Sequence, residues 1–456
     1  MSSENTAAPQ APQTRTTQGA LDRYFKITER GSTISAEIRG GLATFFAMSY
    51  IVVLNPLIIG LVKDANGHAL GVPQVAAVTA LIAGIMTIAM GIYAKQPFAM
   101  AAGLGVNALL ATTILSTPNL TWPQIMGLVV WAGVLMTALV LTGFRTAVFN
   151  AVPESLKVAI VVGIGFFIAF IGMKSVGIVV HNDATLIALG QIGDNVPALL
   201  AIVGLLLMAV LTAHRVHGAL LIGILAVTVL AAAFGITTLP ETFVSTPPSI
   251  APLFWKMDFS LVREPDFWVV VFTFFFVDFF DTVGTLVGVC SRSGLLDEEG
   301  RLPRAKGALM ADAIGTVAGA ILGTSTVTSY VESSSGVAQG GRTGLSSVVT
   351  AVLFIVAIFF TPIVGIVPGC ATAPALILVG VYMMMSLRDL DYDEWTDVFP
   401  AILGFTMMPL TYSIATGIEF GVVSYVLVKS LSGKFRDVSG LMTFLAILFA
   451  LKELLS

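Results

Sequence analysis

The chain has 456 residues, of which 56% are hydrophobic and only 11% are charged. A soluble domain carries about 25% charged residues, so this composition excludes an ordinary water-soluble fold and indicates a protein of the lipid bilayer. The net charge of −4 excludes nucleic acid as an expected partner.

The first 35 residues are polar and rich in Ala, Pro, Thr and Gln. This composition predicts a mostly disordered cytoplasmic tail over 1–35. Within it, the stretch LDRYFKITERG at 21–31 predicts a short amphipathic helix on the membrane surface.

Fourteen apolar runs follow, which we predict to be membrane-spanning helices. They cover 40–62, 74–94, 98–115, 122–144, 155–173, 196–213, 218–237, 267–290, 307–323, 326–340, 346–367, 371–387, 397–412 and 415–432. The last apolar stretch, 440–455, carries Lys452 and Glu453, which favours an interfacial helix but leaves a fifteenth span open.

Basic residues test this list of spans. If the N-terminus is cytoplasmic and every run crosses, 18 basic residues fall inside and 4 outside, with Lys157 ambiguous at a span edge. Positive residues favour the cytoplasmic side, so this asymmetry supports the span count and places both termini in the cytoplasm.

The third and tenth runs are unlike the others. Run 98–115 is short and broken by two glycines, and run 326–340 is polar, with a glutamate and a triple serine. Interrupted segments at matching positions of two halves indicate a transporter site. Seven spans per half imply inverted repeats, over 40–237 and 267–432, although two Gly-rich helices could also pair by chance.

Span eight places two acids in an apolar run. Asp278 and Asp281 are three residues apart on one helical face, and Thr282 and Thr285 follow four residues after each. A charged Asp at bilayer depth costs several kcal/mol, so we expect these side chains to face a cavity. A structural role, such as capping a broken helix, is the alternative.

Span ten supplies a third buried acid, Glu332, in the stretch TSTVTSYVESSSG. Ser and Thr alternate with apolar residues over 324–330, a period that suits a strand as well as a helix. Extended backbone at this depth is tolerated only where it lines protein or water, so crossing segments of spans three and ten would offer backbone groups to a ligand. A merely polar span is the alternative. For Asp312 in span nine, a structural bond to a helix end or a basic loop residue is favoured.

The buried charges point to a class of solute. With no basic residue at mid-membrane depth, apart from the ambiguous Lys157, an anion such as sulfate or a dicarboxylate is disfavoured. Carboxylates suit a cation or a neutral solute with N–H donors, and neighbouring buried carboxyl groups suit a proton carrier. A channel for a cation or small neutral solute is the alternative function. No nucleophile–base motif, metal spacing or cofactor site indicates an enzyme, and the expected coupling ion is H⁺ rather than Na⁺.

Four motifs resemble the AzgA-like purine permeases, a branch of the nucleobase transporters that share the uracil-permease fold. The resemblance extends from about residue 21 to about residue 436. The motifs are EIRGGLATFFAMSYIVVLNP (37–56), PFAMAAGLGVNALL (97–110), FVDFFDTVGTLVGV (276–289) and GTSTVTSYVESSSGVAQGGRTGL (323–345).

The resemblance implies an all-α polytopic membrane protein with 14 transmembrane segments in 7+7 inverted repeats. It also implies short antiparallel β-strands in spans three and ten, and a core domain that moves against a gate domain. The implied divisions are a tail at 1–35, core halves at 36–144 and 266–367, gate halves at 145–265 and 368–436, and an interfacial helix at 437–456.

The resemblance further implies import of adenine, guanine or hypoxanthine with H⁺, across a bacterial inner membrane, by a homodimer. Its span-eight carboxylate matches Asp281 by the D-x-x-G register, with Asp278 also a candidate, and its span-ten carboxylate matches Glu332. The family Asn in span three matches Asn107. The other expected substrate contacts are Ala99, Met100, Ala101, Tyr330, Val331 and Thr285, and the expected proton carriers are Asp278, Asp281 and Glu332. The chain departs from the family at Ala102, where a Pro is frequent.

Overall fold

The computed structural model describes residues 19–117, 119–142, 152–238, 240, 242–293 and 305–455. Within these residues, eight helices are long and apolar enough, by length and composition, to cross a membrane. Shorter apolar helices lie at Leu104–Ser116, Ala219–Ala233 and Gly440–Leu451. The chain is thus a multi-pass membrane protein, as its composition predicted.

The elements follow the predicted spans in order. In the first half they are α1 (Ala20–Phe25), α2 (Ile34–Met48), α3 (Ile51–Ile59), α4 (Val72–Ala89), β1 (Met100–Ala102), α5 (Leu104–Ser116), α6 (Trp122–Thr142), α7 (Glu154–Ser175), β2 (Val179–Asn182), β3 (Leu186–Leu189), α8 (Val196–Ala213) and α9 (Ala219–Ala233). In the second half they are α10 (Pro265–Ser293), α11 (Ala305–Leu322), β4 (Val327–Ser329), α12 (Ser333–Ala338), α13 (Gly344–Ala357), α14 (Thr361–Gly365), α15 (Gly369–Met384), α16 (Trp395–Leu410), α17 (Ile414–Leu431) and α18 (Gly440–Leu455).

Short polar side chains begin several of these helices. The side chains of Thr33, Asn195, Thr343 and Ser413 each accept a hydrogen bond from a backbone N–H in the first turn of α2, α8, α13 and α17. Such caps satisfy N–H groups that have no partner inside a helix. They explain why apolar runs begin as helices directly after a polar residue.

The two interrupted spans are each a short strand followed by a helix. Strand β1 precedes α5, β4 precedes α12, and the two strands pair antiparallel with Met100 opposite Ser329 and Ala102 opposite Val327. This confirms the predicted strands in spans three and ten. The hairpin of β2 and β3 was not predicted, because its residues carry no strong period.

The helices pack in two groups. In one group α13 packs on α2 and α4, and α6 packs on α10 and α11. In the other, α15 packs on α7, α8 and α9, and α16 packs on α7 and α17. The division into core and gate domains stays a prediction, and its boundary at 144–145 lies outside the described residues.

Glycines allow close helix approach in the first group. A Cβ on Gly344 would overlap the carbonyl oxygen of Gly91, and one on Gly41 would lie 2.6 Å from the carbonyl oxygen of Ser346. Small residues let backbones approach in lipid, where burial of apolar surface drives little association. The start of α13 is thereby held against α2 and against the turn that follows α4.

The segment after the described N-terminus packs on the protein. Phe25 and Ile27 are buried beside Leu345, and the guanidinium of Arg30 donates to the carbonyl oxygens of Lys95 at 2.8 Å and Arg342 at 3.2 Å. A short helix is found in this stretch, over Ala20–Phe25, and its position on the membrane surface stays a prediction. Residues 1–18 of the predicted tail lie outside the described residues.

Candidate functional site

The paired strands β1 and β4 form a buried two-stranded ribbon. The pairing continues past both strands, because Tyr330 N donates to Ala99 O at 3.0 Å and Gly103 N donates to Thr326 O at 3.0 Å. All six strand residues are buried. The ribbon thus satisfies its backbone internally at a depth where water is scarce.

Other backbone groups at the start of β1 are already bonded. Ala99 N donates to the Ser333 hydroxyl at 3.0 Å, Met100 N donates to the Thr87 hydroxyl at 2.9 Å, and that hydroxyl donates to Met100 O at 3.1 Å. Ala101 lies opposite Thr328 in the ribbon. The expected base contacts from these backbone groups would have to compete with internal bonds, which sequence reasoning did not foresee.

Glu332 lies directly before α12, beyond the end of β4. The hydroxyl of Tyr50, between α2 and α3, donates to Glu332 Oε1. Tyr50 is buried, and the Glu332 residue is half-buried. This bond orients the carboxyl group and leaves Oε2 to other donors.

The two residues before Glu332 point differently. Tyr330 is buried, and its hydroxyl donates to Ala102 O at 2.5 Å, so its ring follows the ribbon. Val331 is 46% exposed. Of these two expected contacts, Tyr330 lies against the ribbon and Val331 does not.

Asp281 lies beside Gly103, the residue that follows β1. Its Oδ2 is 3.6 Å from the point that a Cβ on Gly103 would occupy. Gly103 directly precedes α5, and a helix N-terminus stabilises a nearby negative charge. Glu332 and Asp278 are close enough to Asp281 for electrostatic interaction. Thr285 lies one turn further along α10 and is half-buried.

Asp278 is directed toward α11. Its Oδ2 accepts a hydrogen bond from the Thr316 hydroxyl at 2.9 Å, and the residue is buried. The structure therefore separates the two acids of span eight, with Asp281 beside the ribbon and Asp278 bonded to the neighbouring span.

Asn107 lies one turn inside α5 and is fully buried. Its Oδ1 accepts from the Ser325 hydroxyl, two residues before β4. Its Nδ2 has no hydrogen-bond partner among the described residues. Asn107 thus joins the two interrupted spans and keeps a donor for a further acceptor.

Asp312 contacts the ribbon as well. Its Oδ2 accepts from the Thr282 hydroxyl at 2.7 Å, and its Oδ1 accepts from Ser329 N at 3.2 Å. These two bonds go to α10 and β4, and the expected bond of Asp312 to a helix end or a basic loop residue stays a prediction. Both helices carry the spacing D-x-x-x-T, at Asp278–Thr282 on α10 and Asp312–Thr316 on α11. This repeat was a sequence signal for the hydrogen bonds between the two helices, in which each Thr bonds the Asp of the other helix.

Sequence reasoning also missed Tyr50, Thr87 and Glu419. Tyr50 is a hydroxyl inside an apolar stretch of a recognised motif, which was the available signal. Thr87 has no distinguishing pattern. Glu419 is buried in α17, in the second group of helices, and was an unassigned acid in an apolar run.

Together the site gathers carboxyl groups around a rigid ribbon. Asp278, Asp281 and Glu332, from two spans, lie close enough to interact, and Asp312 bonds the ribbon from a third span. Carboxylates bind N–H donors through charge-assisted hydrogen bonds. The arrangement can hold a planar solute by its N–H edge or a cation.

Comparison with known proteins identifies relatives along most of the chain. A family model described as "Permease family" (Xan_ur_permease) matches residues 35–420. Adenine permease AdeQ of Escherichia coli is 40% identical, with 96% of this chain and 97% of that protein covered. Guanine/hypoxanthine permease PbuG of Bacillus subtilis is 41% identical, with 94% of this chain and 99% of that protein covered.

Solved structures support the fold. The transmembrane domain of the cyanobacterial bicarbonate transporter BicA superposes with a TM-score of 0.62 at 14% identity, covering 84% of this chain and 96% of that one. The anion transporter SLC26A9 superposes with a TM-score of 0.61 at 13% identity, covering 90% of this chain and 67% of that one. At these identities the likeness concerns the arrangement of helices, and it confirms the predicted fold class.

Proposed function

The chain belongs to the permease family whose model spans residues 35–420, and on this premise we propose that it imports purine nucleobases together with protons. The family and the relatives make it a transporter rather than an enzyme. The names of the relatives, adenine permease and guanine/hypoxanthine permease, support a purine as the solute.

One observation carries the proposal: Glu332 and Asp281, from two different spans, are close enough to interact beside a ribbon whose own backbone groups are bonded. A purine carries ring N–H and amino donors, which a carboxylate accepts well. Glu332 would accept from the base through Oε2, since Tyr50 occupies Oε1. Asp281, which is half-buried, would bind the base or the proton.

Transport would proceed by alternating access. The group of helices that holds the ribbon would move, like an elevator, against the group formed by α7, α8, α9 and α15 to α17. The basic-residue asymmetry supports cytoplasmic termini. Placement in a bacterial inner membrane forms part of this proposal. The homodimer implied by the family resemblance forms part of this proposal.

The substrate is tested by competition. We expect unlabelled adenine, guanine and hypoxanthine to suppress uptake of labelled adenine in cells that express the protein, whereas uracil should not. The reason is that the relatives are named for purines, and uracil is a smaller, single-ring base with a different arrangement of N–H donors. Flux that rises without saturation would instead support the channel alternative, and competition by uracil alone would overturn the choice of a purine.

Proton coupling predicts that uptake depends on the external pH. Because protons enter with the base, uptake should fall as the external pH rises from about 5 to about 8, and a protonophore should abolish accumulation. The measurement is initial uptake rate and final accumulation at fixed Na⁺. Accumulation that requires Na⁺ and ignores the protonophore would contradict H⁺ as the coupling ion.

A further inference from the structure

Asp312 is a fully buried acid that the proposed transport cycle leaves without a part. Its two carboxylate oxygens accept from different elements, Oδ2 from the Thr282 hydroxyl on α10 and Oδ1 from the backbone N–H of Ser329 in β4. Burying a carboxylate at this depth is costly unless its oxygens are hydrogen-bonded. The acid and these partners should therefore keep a fixed geometry.

The contact reaches two consecutive residues of β4. Ser329 is bonded directly, and Thr328 is reached through Thr282, whose hydroxyl lies 2.8 Å from the Thr328 hydroxyl. The chain then continues into Tyr330 and Glu332, the two span-ten side chains of the proposed site. A displacement of β4 would thus move both of them.

The bond belongs to a reciprocal pair between α10 and α11. Each helix carries an Asp with a Thr four residues later, and each Thr donates to the Asp of the other helix. Thr282 donates to Asp312 at 2.7 Å, and Thr316 donates to Asp278 at 2.9 Å. Besides its pairing with β1, strand β4 is bonded by both members of the Thr282–Asp312 pair. The bonds described for the Thr316–Asp278 pair do not include β4.

We propose that Asp312 is a positioning residue that holds β4 in the register from which Tyr330 and Glu332 face the base. It acts through the strand and does not itself touch the purine. The part of this inference that concerns the purine rests on the proposed function, whereas the part that concerns the strand does not.

Binding to the purified full-length protein tests the first part. Asp312→Ala removes both acceptors, so the purine Kd measured by calorimetry should rise about tenfold or more. Asp312→Asn keeps an oxygen for Ser329 N, and its Kd should return to within about threefold of the parent. Recovery by this conservative change separates positioning from a role that needs the negative charge.

Thr316→Val is the matched control, because it removes the same kind of hydroxyl from the Asp–Thr pair that does not bond β4. Its melting temperature should fall, but less than that of Thr282→Val, since each loses one hydroxyl bond to a buried Asp and Thr282 also loses its bond to the Thr328 hydroxyl. Its Kd should stay within about twofold of the parent, while that of Thr282→Val should rise. Equal losses of affinity in the two Thr variants would overturn the proposal.

Amide hydrogen exchange tests the strand without any purine. Peptides that cover 324–332 should exchange about tenfold faster in Asp312→Ala than in the parent, and at the parental rate in Thr316→Val. If Asp312→Ala does not fold, Thr282→Val replaces it in this comparison. Unchanged exchange would overturn the proposal for Asp312. Failure of the parent to bind any purine would instead overturn the proposed function and leave the exchange result to decide on Asp312.

Discussion

Replacing Glu332 by glutamine should weaken purine binding by about 5- to 150-fold while the protein still folds and inserts. The substitution keeps the shape of the side chain, and the amide oxygen can still accept from the Tyr50 hydroxyl. The other carboxylate oxygen becomes an NH₂ group, which would meet the N–H edge of the base donor to donor. A buried group left unpaired in this way costs about 1–3 kcal/mol, which corresponds to the expected loss of affinity.

The measurement is calorimetric purine binding to the purified variant, with thermal stability followed in parallel. Glu37→Gln is the control, because Glu37 is a buried Glu of the same helix group that lies away from the proposed base contacts. Its carboxylate accepts from the backbone N–H groups of Arg342, Thr343 and Ser346. That variant should lose about 1–3 kcal/mol of stability and keep its purine affinity. Parental affinity in Glu332→Gln would show that Glu332 is not a base ligand, and the site at the ribbon would have to be abandoned.

Replacing Asp281 by asparagine should abolish proton-driven accumulation while exchange of purine across the membrane continues. Asparagine resembles the protonated acid in shape and charge, so the variant could no longer take up and release a proton. A gradient of one pH unit can sustain about a tenfold concentration ratio when one proton enters with each base. In the variant, the ratio of internal to external purine should fall to about one. The measurement is purine accumulation in vesicles with an imposed pH gradient, compared with counterflow exchange in the same vesicles.

Asp278→Asn tests which of the two acids of span eight carries the proton. Asp278 is buried and bonded to Thr316, whereas Asp281 is half-buried beside Gly103, so we expect Asp281 to be the acid that exchanges its proton with water. If Asp278→Asn loses accumulation and keeps exchange while Asp281→Asn still accumulates, the proton carrier is Asp278. Loss of exchange as well as accumulation in Asp281→Asn would indicate that Asp281 is needed to bind the base.

The local features of the chain could be obtained from its sequence. Apolar length predicts a span, because a helix that crosses lipid must be apolar over a fixed number of residues. The pattern of Ser and Thr over 324–330 suited a strand as well as a helix, the family resemblance implied a strand, and β4 is found there. The acids Asp278, Asp281 and Glu332 stood out because charge is costly in an apolar run.

Only the tertiary structure decided which hydrogen-bond partners these polar residues have. Tyr50 and Glu332 are separated by 282 residues, and Asn107 and Ser325 by 218. No local period encodes such pairs, since they depend on how the two halves of the chain pack. The same reason explains why the sequence could not assign different surroundings to Asp278 and Asp281, or show that Asp312 holds β4. Composition and period determined where polar groups enter the membrane, and the packing of the spans determined the partner of each one.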